Sequence, residues 1–405
     1  MKKRIILHID VNNAFLSWSA VNMLNNGYQV DIRHRFAVIG GDESQRKGIV
    51  LAKSIPAKRM GVVTGESLYM ARTKCPNLEV FAPDFKIYKK YSDMMYEYLL
   101  TYSDKVERYS IDECFIDYTD SLSLFGDPVK IAYKIKEDIK EKFGFTVNVG
   151  VGENKLCAKM ASDFTKPDKV HTLFMNEVRD KTWGLSVSDL FMIGKKTSEK
   201  LIALGINTIG DLANTDVDFL VKHFKSMGYL MHDYANGIDS SSVEYESVSP
   251  KSISASTVLP YDYDDSKAIK NVIRELSIDV GDKLRRQGFN ASVVFVSIKY
   301  SDFSKFSKQY KLDRGINSDN DLYNSFSSLF DKLWNGKAIR NICVGVTSFS
   351  SSYKFQLSLF DNNHKVETES GVQAVVDSLR KRFGNDKVIY GDMLKKKWLT
   401  YDCLS

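Results

Sequence analysis

Residues 109–117 read YSIDECFID, and residues 3–10 read KRIILHID. The first stretch carries an adjacent acid pair, Asp112 and Glu113, at the edge of an apolar run. The second is a short apolar strand pattern closed by Asp10. Neighbouring residues on a regular strand point to opposite faces, so both acids of the pair reach one point only if the chain bends there. If it does, three carboxylates converge on a hard, oxygen-only cation site of the kind that suits Mg²⁺. A pair of such ions is a means of joining an oxygen nucleophile to a phosphate. Each feature also has a plain reading by itself. Asp10, followed by Asn12 and Asn13, can be a helix cap, and Asp112-Glu113 can be a surface turn.

Working outward, residues 14–26 carry a helical pattern with Gly27 as its stop. Residues 30–75 form a small mixed unit rich in Gly and Lys/Arg, and 86–103 are helical. A helix is expected at 128–142, a strand at 145–152 and a helix at 154–164. Strands and helices thus alternate around the three acids, which predicts an α+β layer with the carboxylates on its sheet. From 174 to 240 the pattern is wholly helical. Serines and a proline over 240–250 read as a linker. A second α/β unit follows over 251–350, with helices at 266–287 and 319–335 and strands at 291–300, 305–312 and 341–348.

The 405 residues suit about three domains. A 43% hydrophobic and 27% charged composition is that of ordinary globular protein. The N-terminal apolar run is ended by His8 and Asp10, too soon for a signal peptide, and no run approaches a membrane span, so a cytoplasmic protein is expected. Cys75, Cys114, Cys157, Cys343 and Cys403 show no C-x-x-C spacing, which argues for reduced thiols and against structural zinc. The net charge of +6 is a mild bias toward polyanions.

Six pieces in order resemble the Y-family (translesion) DNA polymerases of the DinB/UmuC type. They are HID-x-N-x-x-F from His8 to Phe15, the YSIDECFID block, VGVGENKLCAKMASDFTKP (149–167), IGKKT (193–197), the basic α/β unit, and QLSLF (356–360). The resemblance implies an α+β multidomain right-hand polymerase. Its palm is 1–20 and 80–173, its fingers 21–79 and its helix-hairpin-helix thumb 174–240. A linker at 241–250 leads to a little finger at 251–350 and a tail at 351–405. It implies a monomer that binds primer–template DNA and dNTP, adds dNMP to a primer 3′-hydroxyl and has no proofreading domain. Two other classes stay in view: a non-catalytic DNA- and clamp-binding relative, and another palm-type enzyme such as a nucleotide cyclase.

By the same resemblance Asp10, Asp112 and Glu113 are catalytic and, with the Val11 carbonyl, hold two Mg²⁺, with Mn²⁺ as a substitute. Phe15 is the aromatic steric gate against ribonucleotides; its plain reading is a core Phe. Lys166 contacts the triphosphate, together with Ser54 and Lys58. Lys155 can be either a phosphate contact or a solvated charge. At Ile55 and Lys58 the chain departs from the family's Tyr and Arg, since Lys lacks the bidentate fork and Ile has no hydroxyl. Lys53 and Arg59 are candidate substitutes. IGKKTSEKLIALGI (193–206) reads as a helix-hairpin-helix, with Gly194, Lys195 and Lys196 toward a DNA phosphate. Lys299, Lys305 and Lys308 are expected along the duplex backbone. Gln356, Leu357, Leu359 and Phe360 match a sliding-clamp peptide.

Overall fold

The computed structural model describes residues 4–43, 46, 48–246, 249–351, 363–384 and 387–391. The chain divides into two compact units. The first is Met1–Glu43 with Gly48–Ser247, and the second is Ser44–Lys47 with Val248–Ser405.

The first unit is built on strand β1 (Ile6–Val11), buried along its whole length. Further strands are β2 (Ala37–Gly40), β3 (Val50–Lys53), β4 (Glu79–Phe81), β5 (Val106–Arg108), β6 (Glu113–Asp117), β7 (Val147–Gly152) and β8 (Val170–Leu173). Five of them form one sheet in the order β5-β6-β1-β7-β8. β1 is antiparallel to both neighbours, and β7 and β8 are parallel. Period-2 alternation sends Leu7, Ile9 and Val11 to one face. There they join Ile131, Ile135 and Ile139 of helix Pro128–Phe143 and Tyr88, Met95 and Leu99 of helix Phe85–Leu99. Ile6 faces the other way and packs with Phe115, Ala158 and Val243. Covering on both faces explains why β1 reads as an apolar run rather than an alternating one.

Helix Lys155–Asp163 lies almost in backbone contact with β7. A Cβ placed on Gly150 would stand 1.9 Å from the Ala158 carbonyl oxygen, and one on Gly152 would stand 2.7 Å from the Ala158 nitrogen. The glycines of VGVG therefore set how close the helix comes to the sheet.

The segment expected to be fingers contains a three-stranded sheet in the order β3-β2-β4 with its own small core. The wholly helical stretch is present as expected. Its helices, including Lys195–Ala203, Ile209–Asn214 and Ser226–Ala235, enclose Leu201, Leu212 and Leu220 together with Leu156 and Met160. The expected linker is not loose at its start. Val243 is buried against the sheet, Glu107 accepts from the Glu244 amide at 2.7 Å, and the Arg4 guanidinium donates to the Ser241 carbonyl at 2.8 Å.

The second unit carries β9 (Ser252–Tyr263), β10 (Phe289–Tyr300), β11 (Lys305–Ile316) and β12 (Ile339–Ser351), antiparallel in the order β11-β10-β12-β9. Helices Ser266–Arg286 and Asp319–Asp331 cover one face through Ile273, Val280, Phe326 and Phe330. In the tail the sequence over 375–397 admits a helix followed by a basic extension. The tail contains helix Asn363–Phe383, held to this unit by buried charge. Asp319 is fully buried; it meets Arg285 at 2.9 Å and Arg380 of the tail helix at 2.5 Å. Arg285 also donates to both oxygens of Asp377. The signal was missed because these acids and bases are scattered over the chain and pair only after folding. QLSLF, with the clamp residues Gln356, Leu357, Leu359 and Phe360, lies outside the described residues.

Removing one partner of a buried ion pair leaves an uncompensated charge, which costs far more than the pair contributes. Arg380→Met is expected to destabilise the second unit by ~3–5 kcal/mol, seen as a lower denaturant midpoint. An unchanged midpoint would show the tail helix to be ornamental to this unit.

Candidate active site

The strand register brings the acids together. Asp10 is the direct cross-strand partner of Glu113, so both side chains leave the sheet on the same face. That face is the one covered by helix Lys155–Asp163. The bend that the acid pair requires is present. Residues 110–112 turn ahead of β6, the Tyr109 and Ser110 amides both donate to the Glu113 carbonyl, and the Val11 amide donates to the Asp112 carbonyl at 3.0 Å. The Asp112 carboxylate accepts from the Ser110 hydroxyl at 2.7 Å. Asp10 is not a helix cap: the residue at the N-cap of helix Ala14–Asn25 is Asn13, whose side chain instead donates to the Lys53 carbonyl.

Lysines from one short segment neutralise the acids. Lys166 forms an ion pair with Asp10, and its Nζ is 2.8 Å from Asp163. Lys159 donates to Glu113 at 2.5 Å and stands 3.7 Å from Asp163. Burial raises the Asp10 carboxyl above its ordinary value, and Lys166 only partly opposes this. Burial likewise raises Glu113, with Lys159 in opposition. Burial pushes Lys166 down, but Asp10 and Asp163 together outweigh it and leave its ammonium raised. His8, two residues before Asp10 and on the same face, is wholly buried, which holds it well below its ordinary value and so neutral. Its Nδ1 is 2.8 Å from the Ser162 hydroxyl. That hydroxyl donates to the Lys159 carbonyl, so His8 Nδ1 carries the hydrogen.

Among the described residues no group of three or more His, Cys, Asp or Glu side chains stands ready to hold a metal ion. The carboxylates are turned toward Lys159, Lys166 and Ser110 instead. The donor set still fits a hard divalent cation, being all oxygen, and each buried acid already holds a cation in the form of an ammonium.

Phe15 sits in the first turn of helix Ala14–Asn25, half-buried, with its ring stacked on Tyr88 at 4.6 Å and edge-on to Phe85 at 6.0 Å. It borders the core without being enclosed by it. Lys155 is not a free surface charge: it gives two short bonds to Glu107, at 2.7 and 2.8 Å. The expectation for Ser54 needs correction. Its hydroxyl is buried, donates to the Arg35 carbonyl and accepts from the Ala57 amide as a helix cap, which leaves it nothing for a triphosphate. Lys58 and Ile55 are exposed, while Lys53 donates to Thr64 at 2.9 Å.

Gly194 is the N-cap residue of helix Lys195–Ala203, and Lys195 and Lys196 in its first turn are exposed. In the second unit Lys299 and Lys305 are cross-strand partners on the sheet face away from the helices. Lys308 is opposite the buried Val296 and so points to the other face. Lys159 was overlooked in the sequence. Its signal was the i, i+4 spacing of Lys155, Lys159 and Asp163 within NKLCAKMASDF, which places them on one side of a helix.

Among the described residues no helix is long and apolar enough to cross a membrane. The family model described as impB/mucB/samB family matches residues 9–163, and that of the impB/mucB/samB family C-terminal domain matches 250–359. DNA polymerase IV of Clostridium acetobutylicum is 43% identical over 97% of this chain and 99% of its own length. DNA polymerase IV 2 of Bacillus subtilis is 35% identical over 96% and 94%. Among solved structures, a Y-family DNA polymerase chimera of Dbh and Dpo4 is similar with a TM-score of 0.74 at 25% identity, covering 85% of this chain and 98% of that one. DinB from Sulfolobus solfataricus is similar with a TM-score of 0.57 at 25% identity and the same coverage. A match on the acid-bearing sheet, a second on the following unit and relatives that align from end to end have one meaning: the chain belongs to the impB/mucB/samB family, the Y-family DNA polymerases of the translesion class.

Proposed function

We propose that this translesion DNA polymerase adds dNMP from a dNTP to a primer 3′-hydroxyl at the edge where Asp10, Asp112 and Glu113 meet. The observation that carries this is the cross-strand pairing of Asp10 with Glu113, with Asp112 on the adjoining bend. These carboxylates, with the Val11 carbonyl, would hold two Mg²⁺, for which Mn²⁺ can substitute. When bound, the ions supply acidification of the primer hydroxyl and charge neutralisation of the triphosphate and the departing pyrophosphate.

The protein's own residues do the positioning. Lys166, half-exposed at the carboxylate edge, can turn from Asp10 and Asp163 to the triphosphate. Lys58, exposed on the segment after β3, adds a second cation without the fork of an arginine. The Phe15 ring, stacked on Tyr88 and edge-on to Phe85, would serve as the gate against a 2′-hydroxyl. His8, neutral and tied to Ser162, brings no proton of its own to the acids. Gly194, Lys195 and Lys196 would meet a DNA phosphate, and Lys299 and Lys305 would follow the duplex backbone. The palm is residues 1–20 and 80–173, the fingers 21–79, the thumb 174–240 and the little finger 251–350, acting as a cytoplasmic monomer. QLSLF would dock on a sliding clamp and raise the local concentration at primer ends.

Asp112→Ala is expected to lower dNTP incorporation on a primed template by at least ~100-fold. Wild-type protein should also extend past an abasic site. Full activity of Asp112→Ala would remove the site, and stalling at every lesion would remove the translesion role.

Phe15→Ala should raise ribonucleotide insertion relative to deoxyribonucleotide insertion by ~10–100-fold, read by single-nucleotide kinetics. Unchanged sugar selectivity would make the ring ordinary packing.

The raised Asp10 carboxyl has a stability consequence. Its stabilising, protonated form is present at low pH and is lost as pH rises through the folded value, so at pH 7 the metal-free protein carries this acid at a cost. Asp10→Asn should therefore raise the metal-free thermal midpoint at pH 7 by ~1–3 °C while abolishing incorporation. A lowered midpoint would show that the pairing with Lys166 outweighs burial.

A further inference from the structure

Lys159 is a nearly buried cation that the nucleotidyl-transfer reading leaves without a task. The close packing of its helix on Gly150 and Gly152 carries its stem under the sheet face where the acids emerge. Its Nζ donates to Glu113 Oε1 at 2.5 Å. One turn further along the same helix, Asp163 Oδ2 stands 3.7 Å away, close enough to be reached by rotating the end of the side chain. Asp163 is half-exposed and also pairs with Lys166. One carboxylate outside the triad thus stands beside both lysines that occupy the triad's acids.

We propose that Lys159 is a displaceable counter-ion of Glu113, which it releases to an incoming divalent cation by moving to Asp163. The inference rests on the proposed metal-holding role of Asp10, Asp112 and Glu113. A fixed positive charge within a few ångströms of a cation site repels the ion strongly where solvent screening is reduced. While Lys159 sits on Glu113, the acids are poor ligands. When the triphosphate arrives, it adds negative charge and offers Lys166 another partner. Asp163 is then relieved of Lys166 and can take Lys159. Ion loading thereby becomes coupled to nucleotide binding, and by linkage each tightens the other.

The test is Mn²⁺ binding by the full-length protein, followed by the electron paramagnetic resonance of the free ion, without nucleotide and then with dNTP on a dideoxy-terminated primer–template. Lys159→Met is expected to bind Mn²⁺ ~10-fold more tightly than wild type without nucleotide, and to gain less from added dNTP. Lys159→Arg keeps the charge and should stay close to wild type. Asp163→Asn removes the receiving carboxylate and should weaken Mn²⁺ binding. A purely structural lysine would not give opposite signs for Lys159→Met and Asp163→Asn. Equal or weaker Mn²⁺ affinity in folded Lys159→Met, with Asp10→Asn still abolishing binding, would overturn this inference alone. Wild-type binding left intact by Asp10→Asn would instead overturn the metal-site reading beneath it.

Discussion

The antiparallel register between β1 and β6 is the constraint on which the rest of the first unit depends. It sets Asp10 directly across from Glu113 and sends both to the same face of the sheet. A slip of one residue would turn one of the acids into the apolar layer of Leu7, Ile9 and Val11, so the burial of that layer holds the register. The juxtaposition of the acids is thus secured by hydrophobic packing on the opposite side of the same strand.

Bringing acids to the edge of a packed layer has an electrostatic cost, visible in the raised carboxyls of Asp10 and Glu113. The helix following β7 supplies the compensation. Its approach depends on Gly150 and Gly152, because any side chain there would strike the helix backbone. Two glycines on one strand therefore decide where Lys159 lies, and the same segment ends in Lys166. Acids and counter-ions come from separate parts of the chain and are matched only in the assembled layer.

The second unit uses buried charge differently. Asp319 lies between Arg285 and Arg380, with Tyr390 also within reach of its carboxylate, and this ties the tail helix to the helical side of the sheet. Such a pairing is worth little net free energy relative to apolar packing, but it accepts only partners of the right charge and geometry. On the other face of the sheet Lys299 and Lys305 stand side by side as cross-strand partners, with the Lys299 ammonium 4.6 Å from the centre of the Phe303 ring. One face is thus closed by helices, and the other carries this lysine pair.

Much of this was legible from local pattern. The apolar runs of β1 and β7 and the helical spacing over Phe85–Leu99, Pro128–Phe143 and Ser266–Arg286 are one-dimensional signals, set by side-chain period alone. The Asp112-Glu113 pair announced its own bend, because a straight strand would have separated the acids. What no local pattern could convey was pairing at a distance. Ser54 reads as an open hydroxyl until its capping bonds to Ala57 and Arg35 are seen. Lys155 and Lys159 look alike in the sequence, yet one meets Glu107 and the other Glu113. Lys305 and Lys308 lie on one strand, but their register with β10 places them on opposite faces. The sequence by itself determined which segments are strands and helices and which residue types could do the chemistry. Only the tertiary structure decided which charge meets which, because that depends on strand register and on how closely a helix can approach a sheet.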